Sequence, residues 1–308
     1  MSKTARKKKI GCSRFYQEWK GHPIEDLSTF RDITLAQRPD KPMIYLAGDS
    51  SLDNKAWVPS SGPGGDPLPV EPAEIYHQVL DKPRPKPDVA FWLNHMLGER
   101  ATTINSSVEA SMLRERNDTL LPHDEFIRDN IRPEDILIVS IGGNDVALRP
   151  SLSTIAHMLQ LAWLTRRVSL ENGSAGSLKY FQWLFGTKVQ DYITRIVSKQ
   201  KPKAVIVCMI YFPLESGAGP QQSWAEAQLK ALGYNRWPSQ LQTAIKRMYE
   251  IATCQIKIEG TQIIPCPLYE VLDGKTVGDY TARVEPSVEG GRKMAEKFVR
   301  LLGGVLDV

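Results

Sequence analysis

Five short apolar runs punctuate the chain, at residues 43–47, 102–105, 135–141, 204–210 and 261–265. Most are rich in Val and Ile and lack the apolar–polar alternation of a half-exposed strand, so they predict strands buried on both faces of a parallel sheet. Between them, apolar residues recur at helical spacing. Val89, Trp92, Leu93, Met96 and Leu97 form one stripe, with Asp88 placed to cap its start and Gly98 to end it. Val189, Tyr192, Ile193, Ile196 and Val197 repeat the pattern after Thr187, and Leu241, Ala244, Ile245, Met248 and Ala252 repeat it after Ser239. A last helix starts at Ser287 and runs through Met294, Ala295, Phe298 and Leu302 to Gly303. These stripes read as core-facing surfaces. Strands alternating with helices predict an α/β fold, a three-layer α/β/α sandwich with a five-stranded parallel sheet, whose active site lies at the carboxyl ends of the strands.

Two excursions interrupt this pattern. Residues 59–87 hold eight of the chain's 21 prolines and predict a stiff loop with neither strand nor helix. Residues 149–186 hold Trp163, Tyr180, Phe181, Trp183 and Phe185 around a Gly/Ser-rich patch and predict a helical insertion. Both follow strand ends and are placed to roof a pocket. The domain boundaries expected are a basic N-terminal extension over 1–40 and one domain over 41–308.

Bulk properties narrow the class. A chain of 308 residues with 42% hydrophobic residues can build one full core. No apolar run approaches a membrane span, and no apolar signal core follows the basic start at Lys3, Arg6, Lys7, Lys8 and Lys9. A cytoplasmic protein is the expectation. Cys12, Cys208, Cys254 and Cys266 form no CxxC pair, so no metal and no cofactor is expected. The net charge of +4 is mild, no nucleic-acid partner is expected, and the basic tail reads as a solvated arm or a contact for a protein partner.

Candidate chemistry sits where strands end. The first run leads into Gly48-Asp49-Ser50, where a turn presents a serine hydroxyl to a cleft and Gly48 permits a tight backbone path. The third leads into Gly142-Gly143-Asn144-Asp145, where the Asn144 amide can face a developing oxyanion. Either tripeptide alone is an ordinary turn. Their conjunction on two strand ends, a βαβ unit apart, is far more specific.

With these two blocks the chain resembles the SGNH (GDSL-type) hydrolases, whose first block carries the nucleophile and whose third is Gly-x-Asn-Asp. The resemblance spans 41–303 apart from the two excursions and implies a flavodoxin-like sheet, a small-molecule ester substrate and Ser50 as nucleophile. The second block would be Asn105-Ser106-Ser107-Val108-Glu109-Ala110, with Ala110 in place of the glycine that donates its N–H to the oxyanion. Such a replacement is tolerable where φ is negative. The final block departs from the family. The pattern Asp-x-x-His falls on Ala282 and Glu285, although the following Pro286-Ser287 and the glycine-containing helix match.

Serine needs a proton acceptor. Glu285 can accept the proton itself, although an ordinary glutamate titrates at about 4.3, roughly two units below histidine. Alternatively His123 or His77 supplies the base, with Glu285 or Asp279 orienting it. An Arg283–Glu285 pair would make Glu285 a poorer base. Two functions follow: an ester hydrolase, or a catalytically inactive binding or scaffold protein. The hydrolase is taken first because more of the catalytic constellation survives than is lost.

Overall fold

The computed structural model describes residues 8–62, 64–217 and 223–306. Five strands, β1 (Met43–Gly48), β2 (Thr102–Asn105), β3 (Ile136–Ser140), β4 (Ala204–Met209) and β5 (Gln262–Pro267), form one sheet in the order β2-β1-β3-β4-β5, with every neighbouring pair parallel. Every residue of β1 to β4 is buried. Helices on both faces leave these strands no solvent side, which explains the mostly apolar runs of β1, β3 and β4, while β2 buries Thr102, Thr103 and Asn105. The five predicted runs are these five strands, within two residues at each end. Asp135 stands just before β3 and accepts the Met43 N–H at 2.8 Å, tying the starts of β1 and β3 together.

The flanking helices follow the predicted stripes. Helix Val89–Leu97 begins where Asp88 accepts the Phe91 N–H at 2.8 Å and ends at Gly98, whose φ is +58°. Helix Val288–Leu302 begins where Ser287 accepts the Gly290 N–H, and these two helices pack on each other. Right-handed crossovers put them on one face of the sheet and Pro122–Asn130, Val189–Ile196 and Pro238–Ile251 on the other, giving the three-layer α/β/α sandwich. Helix Val189–Ile196 does not start at Thr187. It continues from the wide helical turns Trp183–Lys188.

Two stretches are more ordered than the sequence implied. Of the expected extension 1–40, residues 1–7, and with them most of the basic run, lie outside the described residues. The remainder folds onto the domain. Helix Ile24–Gln37 buries Leu27, Phe30 and Ile33, and Ile10 bridges to Leu80. The second stretch is 59–87, which was expected to lack helix. It contains helix Glu74–Val79, with Ile75, Tyr76 and Val79 buried. Its prolines stop at Pro72 and resume at Pro83, so the intervening turn keeps all its N–H donors. The insertion 149–186 is helical as expected, with helices at Leu152–Leu159, Arg167–Glu171 and Leu178–Gln182.

Candidate active site

Gly48 ends β1 with φ +136°, and a Cβ there would stand 1.8 Å from the Ser140 carbonyl oxygen. Only glycine lets β1 pass β3 this closely while turning Asp49 and Ser50 off the sheet. The turn is held from inside: Ser51 donates its N–H to Asp49 Oδ1 at 3.1 Å, and its Oγ lies 2.7 Å from the same oxygen. Burial pushes the Asp49 carboxyl up to about 6 against these hydrogen bonds. The Ser50 N–H has no hydrogen-bond partner among the described residues.

The loop after β2 folds back on this turn. Asn105 donates to the Leu52 carbonyl at 2.9 Å, and the Val108 N–H reaches the Gly48 carbonyl at 3.0 Å. Ala110 sits in the left-handed region with φ +57°. The condition of negative φ is therefore not met, and alanine occupies a backbone position that favours glycine at a cost of about 1–2 kcal/mol. Its N–H, like that of Ser50, has no partner among the described residues. Asn144 donates one amide hydrogen to the Ser111 carbonyl at 3.0 Å, leaving the second unengaged. Asp145 accepts the N–H groups of Leu113 and Arg114 and so ties this block to the loop after β2.

Glu285 comes in on a tight antiparallel pair, Tyr280–Thr281 with Glu285–Pro286, whose turn places Ala282 and Arg283 at positive φ. Asn54 donates to the Pro286 carbonyl at 3.1 Å and accepts the Val89 N–H, joining this hairpin to the segment after Ser50 and to the start of the helix Val89–Leu97. Tyr211 anchors it from the other side through the Val284 carbonyl at 2.6 Å. Arg283 does not pair with Glu285; its guanidinium goes to the Leu214 carbonyl, Glu226 and Asn235. Glu285 is 1% exposed. Its Oε1 accepts the Trp224 indole N–H at 3.0 Å, while Oε2 is buried without a hydrogen-bond partner within normal distance. Burial raises this carboxyl well above the usual carboxylate range, the adjacent Ser50 side chain and Trp224 pull it down, and Asp49 pushes it up.

A second carboxyl repeats this arrangement. Glu109, 3% exposed, accepts the Trp57 indole N–H on Oε1 at 3.2 Å and leaves Oε2 buried and unpartnered. Burial and then the charge of Glu285 hold it, too, far above the ordinary range. Two like charges in one dry site cannot both ionise freely, so the two groups titrate as a pair. Glu109 was legible only as filler in the second block, and Trp224 and Trp57 lie in loops without a motif.

No histidine reaches this cavity. His123 Nε2 lies 2.8 Å from the His22 carbonyl oxygen and packs over Gly21, and burial lowers both imidazoles. His77 is exposed on its helix among the prolines. His95 lies 3.3 Å from the Glu71 carbonyl oxygen, and His157 stacks on Tyr180. Asp279 is held by Lys293 at 2.8 Å and does not line the cavity. Among the described residues no group of three or more His, Cys, Asp or Glu is arranged to hold a metal ion.

The cavity in front of Ser50 and Glu285 encloses about 110 Å³. Its walls are mostly apolar: Val146, Ile210, Leu229, Leu232, Leu241 and Ile245, with Trp224 and Gln228. These come from the segments after β3 and β4, not from the two excursions that were expected to roof it. The excursion 149–186 acts from behind, where Phe185 packs against Gly142 so closely that a Cβ would stand 3.0 Å from its ring.

No family model and no curated protein matches the chain. Among solved structures it is similar to the lipase Lip_vut3 from a goat rumen metagenome, at 16% identity and TM-score 0.45 over 85% of this chain and 98% of that one. The inhibitor-bound aryl esterase of M. Smegmatis matches at 14% identity and TM-score 0.43 over 86% of this chain and 100% of that one. Est24, a carbohydrate acetylesterase from Sinorhizobium meliloti, matches at 13% identity and TM-score 0.41 over 85% and 100%. These neighbours are lipases and esterases; at such identities and scores the likeness carries no argument about what this chain does.

Proposed function

We propose that the protein is a serine ester hydrolase of the SGNH type in which Glu285 replaces the histidine base. The observation that carries this reading is the Ser50 side chain lying against a buried carboxyl whose Oε2 has no partner, inside an apolar cavity. Burial makes Glu285 a stronger base than an ordinary glutamate, which answers the objection raised by its normal pKa.

In this reading Ser50 Oγ attacks the ester carbonyl and its proton passes to Glu285 Oε2. The N–H groups of Ser50 and Ala110 and the second amide hydrogen of Asn144 hold the oxyanion. Glu285 returns the proton to the departing alcohol. Water then attacks the acyl-Ser50 carbonyl, gives a proton to Glu285, and the acid leaves as Ser50 regains its hydrogen. Short p-nitrophenyl esters and a serine-reactive fluorophosphonate test it. Turnover and labelling that vanish in Ser50→Ala are expected; no labelling of the wild type at any pH removes the reading.

The lack of a histidine at the cavity favours a second reading, a binding protein that takes apolar ligands without turnover. Ligand uptake by a protein that fluorophosphonate never labels would select it.

A further inference from the structure

Of the eight large apolar side chains that are exposed among the described residues, six belong to the insertion 149–186. Ile155, Leu159 and Trp163 follow at four-residue intervals along the helix Leu152–Leu159 and its wide terminal turn, so they share one face. Leu164 and Val168 follow along the chain, 80% and 69% exposed. Trp237 joins from outside the insertion, its ring 5.7 Å from that of Trp163. Single exposed apolar residues are ordinary, but a contiguous set marks an interaction surface.

The charge along this insertion is mostly positive, with Glu171 paired to Arg167 at 2.8 Å. Residues 149–188 carry Arg149, Arg166, Arg167, Lys179 and Lys188 against the single acid Glu171, a net +4 that equals the net charge of the whole chain. The Arg236 guanidinium lies 4.5 Å over the Trp237 ring. The apolar surface is also continuous with the candidate site. Ile155 and Leu159 line a groove with Gln228 and Leu232, and the last two line the Ser50 cavity as well. At this junction Gln228 Oε1 is buried without a partner among the described residues.

We propose that this face seats on an anionic lipid surface, and that the groove leads an acyl ester from that surface past Gln228 into the Ser50 cavity. Exposed tryptophans beside arginines and lysines match the interface of a charged bilayer, where indoles sit at headgroup depth and the cations meet phosphate or carboxylate. A second copy of this chain fits less well, because an isologous contact would bring two faces of net +4 together. Delivery to Ser50 rests on the hydrolase reading; the seating on lipid does not.

The test is flotation of the full chain with vesicles of phosphatidylcholine alone and of phosphatidylcholine mixed with phosphatidylserine. Binding to the mixed vesicles, weakened by salt, is expected. Leu164→Asp and the pair Trp163→Ala with Trp237→Ala each lower it by about tenfold or more, and Leu164→Asp does so with unchanged thermal melting. Equal binding to both vesicles, no binding, or binding untouched by these variants overturns the proposal. So does a dimer of the wild type in sedimentation that Leu164→Asp splits. Vesicle binding without fluorophosphonate labelling upholds the lipid surface and removes the hydrolase.

Discussion

The Trp224 indole N–H donates to Glu285 Oε1 at 3.0 Å, while Oε2 is buried without a hydrogen-bond partner. In the proposed hydrolase the bonded oxygen orients the carboxyl and the other takes the proton, a division of labour that an isolated glutamate on a loop would not have.

Glu285→Gln keeps an oxygen for the Trp224 N–H and removes the base. Fluorophosphonate labelling of Ser50 should fall by about 10²–10⁴, the range lost with a general base, while the far-UV circular dichroism stays as in the wild type. Labelling at the wild-type rate would exclude Glu285 from proton transfer.

Labelling should rise with pH through and above neutrality instead of levelling off near the ordinary glutamate range, because burial first, and then Asp49, hold Glu285 protonated to higher pH. Trp224→Phe removes a hydrogen bond that lowers this pKa, so the rising limb moves to higher pH. A pH–rate profile of labelling for the two proteins checks the sign.

The same shifts govern stability. A carboxyl whose pKa is raised in the folded protein binds its proton more tightly there than in the unfolded chain. Its contribution is complete below the unfolded pKa and is lost as pH rises through the folded one. Asp49 at about 6 and Asp88 at about 7, with Glu109 and Glu285 raised further, therefore lower the melting temperature from mildly acidic to alkaline pH. Each unit of elevation corresponds to about 1.4 kcal/mol. Glu109→Gln should gain about 1–3 kcal/mol over the wild type at alkaline pH and little at acidic pH, as measured by denaturant titration at both.

Ala110→Gly should be neutral or stabilising by up to about 1 kcal/mol, since relief at φ +57° offsets the unfolded-state entropy that glycine adds. Gly48→Ala should cost more than about 3 kcal/mol or prevent folding, because its Cβ would overlap the Ser140 carbonyl at a positive φ. Denaturant midpoints of the two variants, read side by side, test the backbone account.

The sheet was legible because strands covered on both faces are mostly apolar, as β1, β3 and β4 are, and that property survives in the linear order of residues. The blocks at Ser50 and Asn144 were legible for a related reason: strand ends put them where a parallel sheet opens its crevice. The helix Ile24–Gln37 was not read, because its few buried residues make no strong stripe until the sheet edge they cover exists. The partner of Ser50 was harder still. Along the chain Glu285 stood at the position of the missing histidine, with His123 and His77 as alternative bases and Asp279 as an orienter, and the choice stayed open because which side chain arrives depends on a hairpin turn held by Asn54 and Tyr211 from distant segments. The pairing of Glu285 with Glu109 and Trp224, and the cavity walls drawn from segments with no motif, belong to the folded chain alone, because burial and charge act through space and leave no spacing to read.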